Sequence, residues 1–397
     1  MARYSWKFLL LALSQITQPA SGLVNLPVTA RHDAETLKRS NSGPKIQKLI
    51  HDQYDVSQQS YLVEIKAGNP PQKMFLGLMS ASSKTSEDFH LNKSNTISTL
   101  KGHDSAKYGD PTTFPPSNIT FDLDIYNDRF EIANVKITKQ TFGLLTPGPG
   151  KADNGIGLLG LGPNLELGYE AGKPYNTVLD SLAAQGAIPS RTYSLDLRGP
   201  GAITFGGADT GRFEGELIKR PMVKDELGTF GPSIVLSSFG QTAPNGTTYR
   251  YDVPNGDEVF MLDTGNQYFR LRHSSADPLF RDLGAVNDGN DAYFVPCSKR
   301  EEPGTWDFQF GGVTIKVPYK NFITELSNDG KNCFVGVLTT WNGQLVLGQS
   351  FLQAAYLSFD FDNRLVGIAP SADCRSALVA FESGPHAIPQ LTGCKAK

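Results

Sequence analysis

Val259-Phe260-Met261-Leu262-Asp263-Thr264-Gly265-Asn266 is an apolar run that ends at once in a carboxylate and a Thr-Gly turn. Large apolar residues in a short run favour a buried strand, and the glycine after the polar pair ends it. Such a strand end holds one acid at a fixed height above a sheet. Peptide hydrolysis by carboxylates acting as acid and base needs two that share a proton. The reading therefore turns on whether the chain supplies a second acid.

The first half has the same texture. Tyr61-Leu62-Val63-Glu64-Ile65 is strand-like, Gly68-Asn69-Pro70-Pro71-Gln72 is a turn, and Met74-Phe75-Leu76-Gly77-Leu78 is a second strand that ends in Met79-Ser80-Ala81-Ser82-Ser83. Tyr108-Gly109-Asp110 reads as a hairpin. Ile119 to Leu123, Phe130 to Ile132 and Val135 to Ile137 read as short strands separated by turns. Gly155 to Gly162 is apolar and glycine-rich, but lacks the Lys-Ser/Thr of a phosphate loop, so a buried strand and tight turn is the better reading. Tyr175 to Gln185 is a helix candidate with Val178, Leu179 and Leu182 on one face.

The second half repeats this plan. A helix is expected near Ala276 to Leu283. Tyr293 to Cys297, Phe308 to Gly312 and Leu345 to Leu352 read as strands. Leu159-Gly160-Leu161-Gly162 matches Leu345-Val346-Leu347-Gly348 in character, and the strand end at Met79 matches that at Asp263. This weak duplication predicts two similar lobes with a cleft between them.

Composition narrows the class. The 397 residues suffice for one large or two medium domains. Forty Gly and 25 Pro favour strands and turns over long helices. Net charge is -3 with no dense basic run, which argues against nucleic acid as a partner. Residues 1–22 read as a signal peptide: Arg3 and Lys7, the apolar run Phe8 to Leu13, then Ala20, Ser21 and Gly22. That run is too short for a membrane anchor, for which about 20 residues are needed. The chain is therefore expected to be secreted and extracellular. Four cysteines, Cys297, Cys333, Cys374 and Cys394, then suggest two disulfides, with three pairings open. Three sequons, at Asn92, Asn118 and Asn245, fit the same route as glycosylation sites. Residues 23–58 are polar and mixed, read as a propeptide-like or linker segment. Lys38-Arg39 within it is either a processing site or a chance basic pair; if cut, the core should not need what precedes it. His32, His51, His90, His103, His273 and His386 are scattered, with no metal-ligand spacing. No metal and no cofactor are implied.

The ordered set of motifs resembles the pepsin-like aspartic protease family, of the peptidase A1 type. It runs through Ala67 to Gln72, Tyr108-Gly109-Asp110, Gly157 to Gly162, Phe205 to Asp209, Asp263-Thr264-Gly265, Leu347 to Leu352 and Tyr356 to Asp360, closing at Gly367-Ile368-Ala369. The resemblance implies an all-β, bilobal fold with a central cleft and few short helices. It implies an N-terminal lobe over 59–223, a C-terminal lobe over 224–373 and a tail over 374–397. It implies a disulfide between Cys297 and Cys333, which leaves Cys374 and Cys394 to staple the tail. Tyr108, Gly109 and Asp110 become a flap over the cleft. Together with Ser82, Thr264, Gly265 and Asn266 they form the expected substrate-binding set.

The chain departs from the family around its first acid. The family's first-lobe motif is Asp-Thr-Gly-Ser-Ser, and this chain has Met79-Ser80-Ala81-Ser82-Ser83. Met79 stands where the first catalytic aspartate belongs, and Asp263 is the surviving acid. The run after the serines, Lys84 to Glu87, lacks the family's usual Trp, and Asn266 and Gln267 follow the second Asp-Thr-Gly. In the family mechanism one carboxylate activates water while its protonated partner hydrogen-bonds the scissile carbonyl. A thioether has no acidic proton and is only a weak acceptor. Rescue by Glu87, Asp88 or Asp110 is the lesser expectation, because surface acids are usually just solvated.

Three readings follow. The leading one is a secreted pseudoenzyme, monomeric, that binds a peptide or a small apolar ligand in its cleft. The second is an active aspartic-type endopeptidase with an atypical site. The third is a repurposed, non-proteolytic enzyme acting on a small apolar metabolite. Asp263 has a plainer role open to it as well, as a hydrogen-bonding acid in its turn.

Overall fold

The computed structural model describes residues 24–27, 29–30, 61–78, 89–108, 119–132, 135–145, 157–162, 175–199, 201–224, 231–251, 253, 258–325 and 331–395. Strands dominate and helices are few and short, in keeping with the expected bilobal all-β fold.

The front half forms a seven-stranded sheet built on Gly102–Tyr108, Ile119–Ile132, Tyr61–Ala67, Gln72–Leu78 and Gly157–Leu159 in that order. Val135–Leu145 and Thr29–Ala30 pair at its side. In Tyr61–Ala67 alternate residues face inward, so Tyr61, Val63, Ile65 and Ala67 are buried while Glu64 is exposed. Phe89, Phe130 and Phe142 fill this core edge to face, with Phe142 centred 5.4 Å from each of the other two. Where short strands with a turn between them were expected, Ile119–Ile132 is one 14-residue strand. A register shift between Asp128 and Phe130 bends it instead of a turn.

The back half has a five-stranded sheet, in the order Ser233–Leu236, Glu258–Leu262, Leu345–Leu347, Phe269–Arg272, Val337–Thr340. Two four-stranded sheets accompany it. Strict alternation along Thr305–Phe310 and Val313–Pro318 buries Trp306, Phe308 and Phe310 on one strand and Val313, Ile315 and Val317 on the next. Phe269 stacks 5.3 Å from Phe308 and meets Trp306 edge-on at 5.1 Å.

A six-stranded antiparallel sheet joins the halves. Its order is Val24–Pro27, Ala202–Phe205, Thr192–Asp196, Ala355–Asp360, Leu365–Pro370, Ile218–Pro221. Front and back strands meet at the pair Ser194 and Ser358, whose hydroxyls are 2.6 Å apart. The Tyr61 hydroxyl makes a second tie, donating to the Leu197 carbonyl and accepting from the Gln353 amide, each at 2.8 Å. Val24–Pro27 and Thr29–Ala30 lie ahead of Lys38-Arg39, so this part of the 23–58 segment joins the body of the fold. Four residues ending in proline carry too little periodicity to announce a strand. Lys38 and Arg39 lie outside the described residues, as do residues 1–22.

The tail folds back. Leu378–Ala380 pairs with Gly207–Asp209, and Phe381, Ile388 and Leu391 cover Phe213, Leu217 and Tyr356. Both disulfides are formed, Cys297–Cys333 and Cys374–Cys394.

Candidate active site

Asp263 directly follows the strand Glu258–Leu262. That strand runs parallel to Leu345–Leu347, with Leu262 opposite Leu347. The chain re-enters the sheet as Phe269–Arg272 on the far side of Leu345–Leu347, antiparallel to it. Residues 263–268 therefore cross over the end of the strand between, and this crossing fixes the acid.

Close packing makes the crossing possible. A Cβ on Gly348 would lie 2.4 Å from the Asn266 carbonyl oxygen and 2.2 Å from that of Tyr268, so only glycine fits beneath the turn. The turn's carbonyls are then satisfied from one side. The Gln349 backbone N–H donates to the Asn266 carbonyl at 2.7 Å and its side-chain amide to the Thr264 carbonyl at 2.8 Å. Ser350 donates to the Gln267 carbonyl from both its N–H and its hydroxyl, at 3.0 and 2.9 Å. Leu345 to Leu352, expected as one strand, is thus a strand to Leu347 and a short helix over Gln349–Leu352. The glycine and the needs of the crossing turn override the apolar pattern.

Asp263 is 6% exposed. Its N–H donates to the Leu347 carbonyl at 3.1 Å, and its Oδ1 accepts from the Gly265 N–H at 2.8 Å. Thr264 and Asn266 are buried beside it. Asn266 Oδ1 accepts from the Tyr268 N–H at 3.2 Å, closing the turn. The Tyr268 phenol beneath is pushed up to about 12 by burial, against the pull of its hydrogen bond to Thr324, and so stays neutral. The Thr264 hydroxyl is buried with no hydrogen-bond partner among the described residues.

The front half repeats the ladder. Gln72–Leu78 runs parallel to Gly157–Leu159, with Leu78 opposite Leu159. After the ladder comes Gly160, as Gly348 comes after Leu347, and the residue after Leu78 is Met79, as Asp263 comes after Leu262. Met79, Ser82, Gly109 and Asp110 lie outside the described residues, as do Glu87, Asp88 and Asn118. Tyr108 ends the strand Gly102–Tyr108, which pairs with Ile119–Ile132 as the first arm of a hairpin.

Thr264, Gly265 and Asn266 thus stand with Asp263 in one turn. Gln349 and Ser350, which clamp that turn, were not singled out as functional from the sequence. Their signal was the polar pair directly after Leu347-Gly348. Asn92 and Asn245 are both exposed, the first on the turn Leu91–Lys93 and the second at a hairpin tip.

Residues 60–371 match the model of the eukaryotic aspartyl protease family. An acid protease of Saccharomycopsis fibuligera is 28% identical over 78% of this chain and 80% of that one. Secreted aspartic protease 9 of Candida albicans is 26% identical over 61% of this chain and 45% of its own length. The crystal structure of an aspartic proteinase from Irpex lacteus superposes with a TM-score of 0.64 at 20% identity, covering 79% of this chain and 95% of that one.

Proposed function

The chain belongs to the eukaryotic aspartyl protease family, and on that premise we propose that it is a secreted member without conventional proteolysis, whose cleft binds a peptide or a small apolar ligand. One observation carries the reading. Leu78 and Leu262 end equivalent parallel ladders, and the next residue is Met79 in one and Asp263 in the other.

The family reaction divides two roles between two carboxylates: one takes a proton from water, the other donates a hydrogen bond to the substrate carbonyl. Asp263 can fill one role at a time. Loss of acid–base help costs about 10²–10⁴-fold, and removing half of a coupled unit costs more. The turn itself is kept, with Gly348, Gln349 and Ser350 holding Asp263 in place. A kept turn around Asp263, with methionine at the position of the first acid, supports recognition without turnover.

Secretion is supported by the leader-like 1–22, by two closed disulfides and by a relative named as secreted. Among the described residues no helix is long and apolar enough to cross a membrane.

The test is incubation of the purified chain with a broad peptide library at acidic pH. No cleavage above background is expected. Robust cleavage that disappears in Asp263→Asn would overturn the proposal and restore the reading as an active endopeptidase.

A further inference from the structure

At the end of the five-stranded sheet away from Asp263, the turn 341–344 leads from Val337–Thr340 into Leu345–Leu347. It presents Trp341, which is 74% exposed. This indole is held. Its inner face stacks on the His273 imidazole, with centroids 4.1 Å apart and planes 29° from parallel. Its carbonyl accepts from Arg272 Nη1 at 3.3 Å, and Arg272 Nε is tied to the buried Glu258 carboxylate at 3.2 Å. Asp291 faces His273 from the neighbouring hairpin, 3.8 Å from Nε2. The Thr340 hydroxyl accepts from the Gly343 N–H at 2.8 Å and closes the turn.

We propose that Trp341 is a binding platform for a pyranose ring of a neutral oligosaccharide. Three features choose this ligand. First, the area is small. An indole this exposed offers roughly 100–200 Å², whereas a stable protein interface takes about 800 Å² from each partner. Among the described residues the other exposed large apolar side chains are Leu100, Tyr249, Leu378 and, on the hairpin that carries Asp291, Val286, and a single valine adds too little area to change this. Second, no run of like charge surrounds the ring among the described residues: Arg272 is paired with the buried Glu258 carboxylate, and Asp291 is the carboxylate that faces His273, so nothing here selects nucleic acid or an anionic surface. Third, the shape is right. A flat π-face, negative at its centre, accepts the weakly positive C–H bonds of one sugar face. The exposed Asn342 and Asp291 stand nearby for hydroxyl groups.

The chain carries its own probe. Of three tryptophans, Trp6 lies in the leader-like segment and Trp306 is fully buried. A ligand-dependent change in indole emission that Trp341→Phe removes therefore reports Trp341. The experiment titrates the protein with cellohexaose, chitohexaose and mannohexaose. A saturable emission shift with at least one is expected, together with retention on the matching insoluble polysaccharide. Trp341→Ala should weaken retention by at least about tenfold. Trp341→Phe should keep part of it, and His273→Ala should weaken it by freeing the ring. Asp263→Asn should leave it unchanged, which separates this site from the cleft. No shift with any of the three, or equal retention by Trp341→Ala, would overturn the proposal. So would a dimer of the ligand-free chain that Trp341→Ala dissociates.

Discussion

Gly348 lies directly beneath Asn266, so close that a Cβ on the glycine would approach the Asn266 carbonyl oxygen to 2.4 Å. The acid-bearing turn rests on this contact. Gly348→Ala is predicted to destabilise the protein by about 1–3 kcal/mol, the usual cost of forcing atoms into a packed site. Denaturant titration should show a lower midpoint with an unchanged slope.

Asp196 gives the fold an acid preference. It is buried on the strand Thr192–Asp196, and burial raises its carboxyl to about 6 from 3.8, with the Arg198 N–H and the Arg212 charge opposing in part. A raised acid binds its proton more tightly in the folded state, so stability is full below about pH 4 and is lost as pH rises through about 6. The difference, 6 minus 3.8, is about 2 units, or on the order of 3 kcal/mol at most. Asp196→Asn should flatten the dependence of unfolding free energy on pH between about 4 and 6.

The tail is a fastened strap beyond the family match, which ends at 371. Asp209 accepts from the Ala377 N–H at 2.7 Å and from the Ser376 hydroxyl at 2.5 Å, while Arg212 pairs with Asp373 at 2.7 Å. Cys374–Cys394 closes a separation of 20 residues. Replacing both cysteines by serine should cost about 3 kcal/mol by the loop-entropy argument. Limited proteolysis should then cut within 378–393 before it cuts elsewhere.

Two exposed sequons differ in the state of their hydroxyl residue. In Asn92-Lys93-Ser94 the serine is buried, its hydroxyl accepting from the Asn69 N–H at 3.0 Å. In Asn245-Gly246-Thr247 the whole hairpin tip is exposed, and the Thr247 N–H donates to Asn245 Oδ1 at 2.9 Å. In a chain made through the secretory route, glycan is predicted at Asn245 in preference to Asn92. Mass spectrometry of the intact protein and of Asn245→Gln would read it, and full occupancy at Asn92 alone would contradict it.

Much of this was legible because it is local. The strand that ends at Leu262, the turn after it and the repeated Leu-Gly endings all show in the sequence. So does the helix Val178–Ala184, where Thr177 and Asp180 form a capping box inside the expected span. The helix His273–Leu283 begins one turn earlier than expected, and Pro278 in its middle masks its periodicity. The six-stranded sheet could not be read. Its strands come from Val24, Thr192, Ala202, Ile218, Ala355 and Leu365 onward, and only long-range pairing makes them neighbours. The clamp of Gln349 and Ser350 on the acid's turn was hidden for the same reason. Met79 was visible as a departure only because the sequence around it keeps the family's spacing.

The central claim is that Met79, in place of the first acid, silences a site whose second acid is still held in its turn. Its most direct measure is kcat/KM for an acid-pH peptide substrate, compared between the natural chain and Met79→Asp. The account predicts no measurable turnover by the natural chain and a gain of at least about 10²-fold in Met79→Asp, inhibited by pepstatin and lost again when Asp263→Asn is added. Turnover by the natural chain that Asp263→Asn abolishes and Met79→Asp does not raise would contradict it.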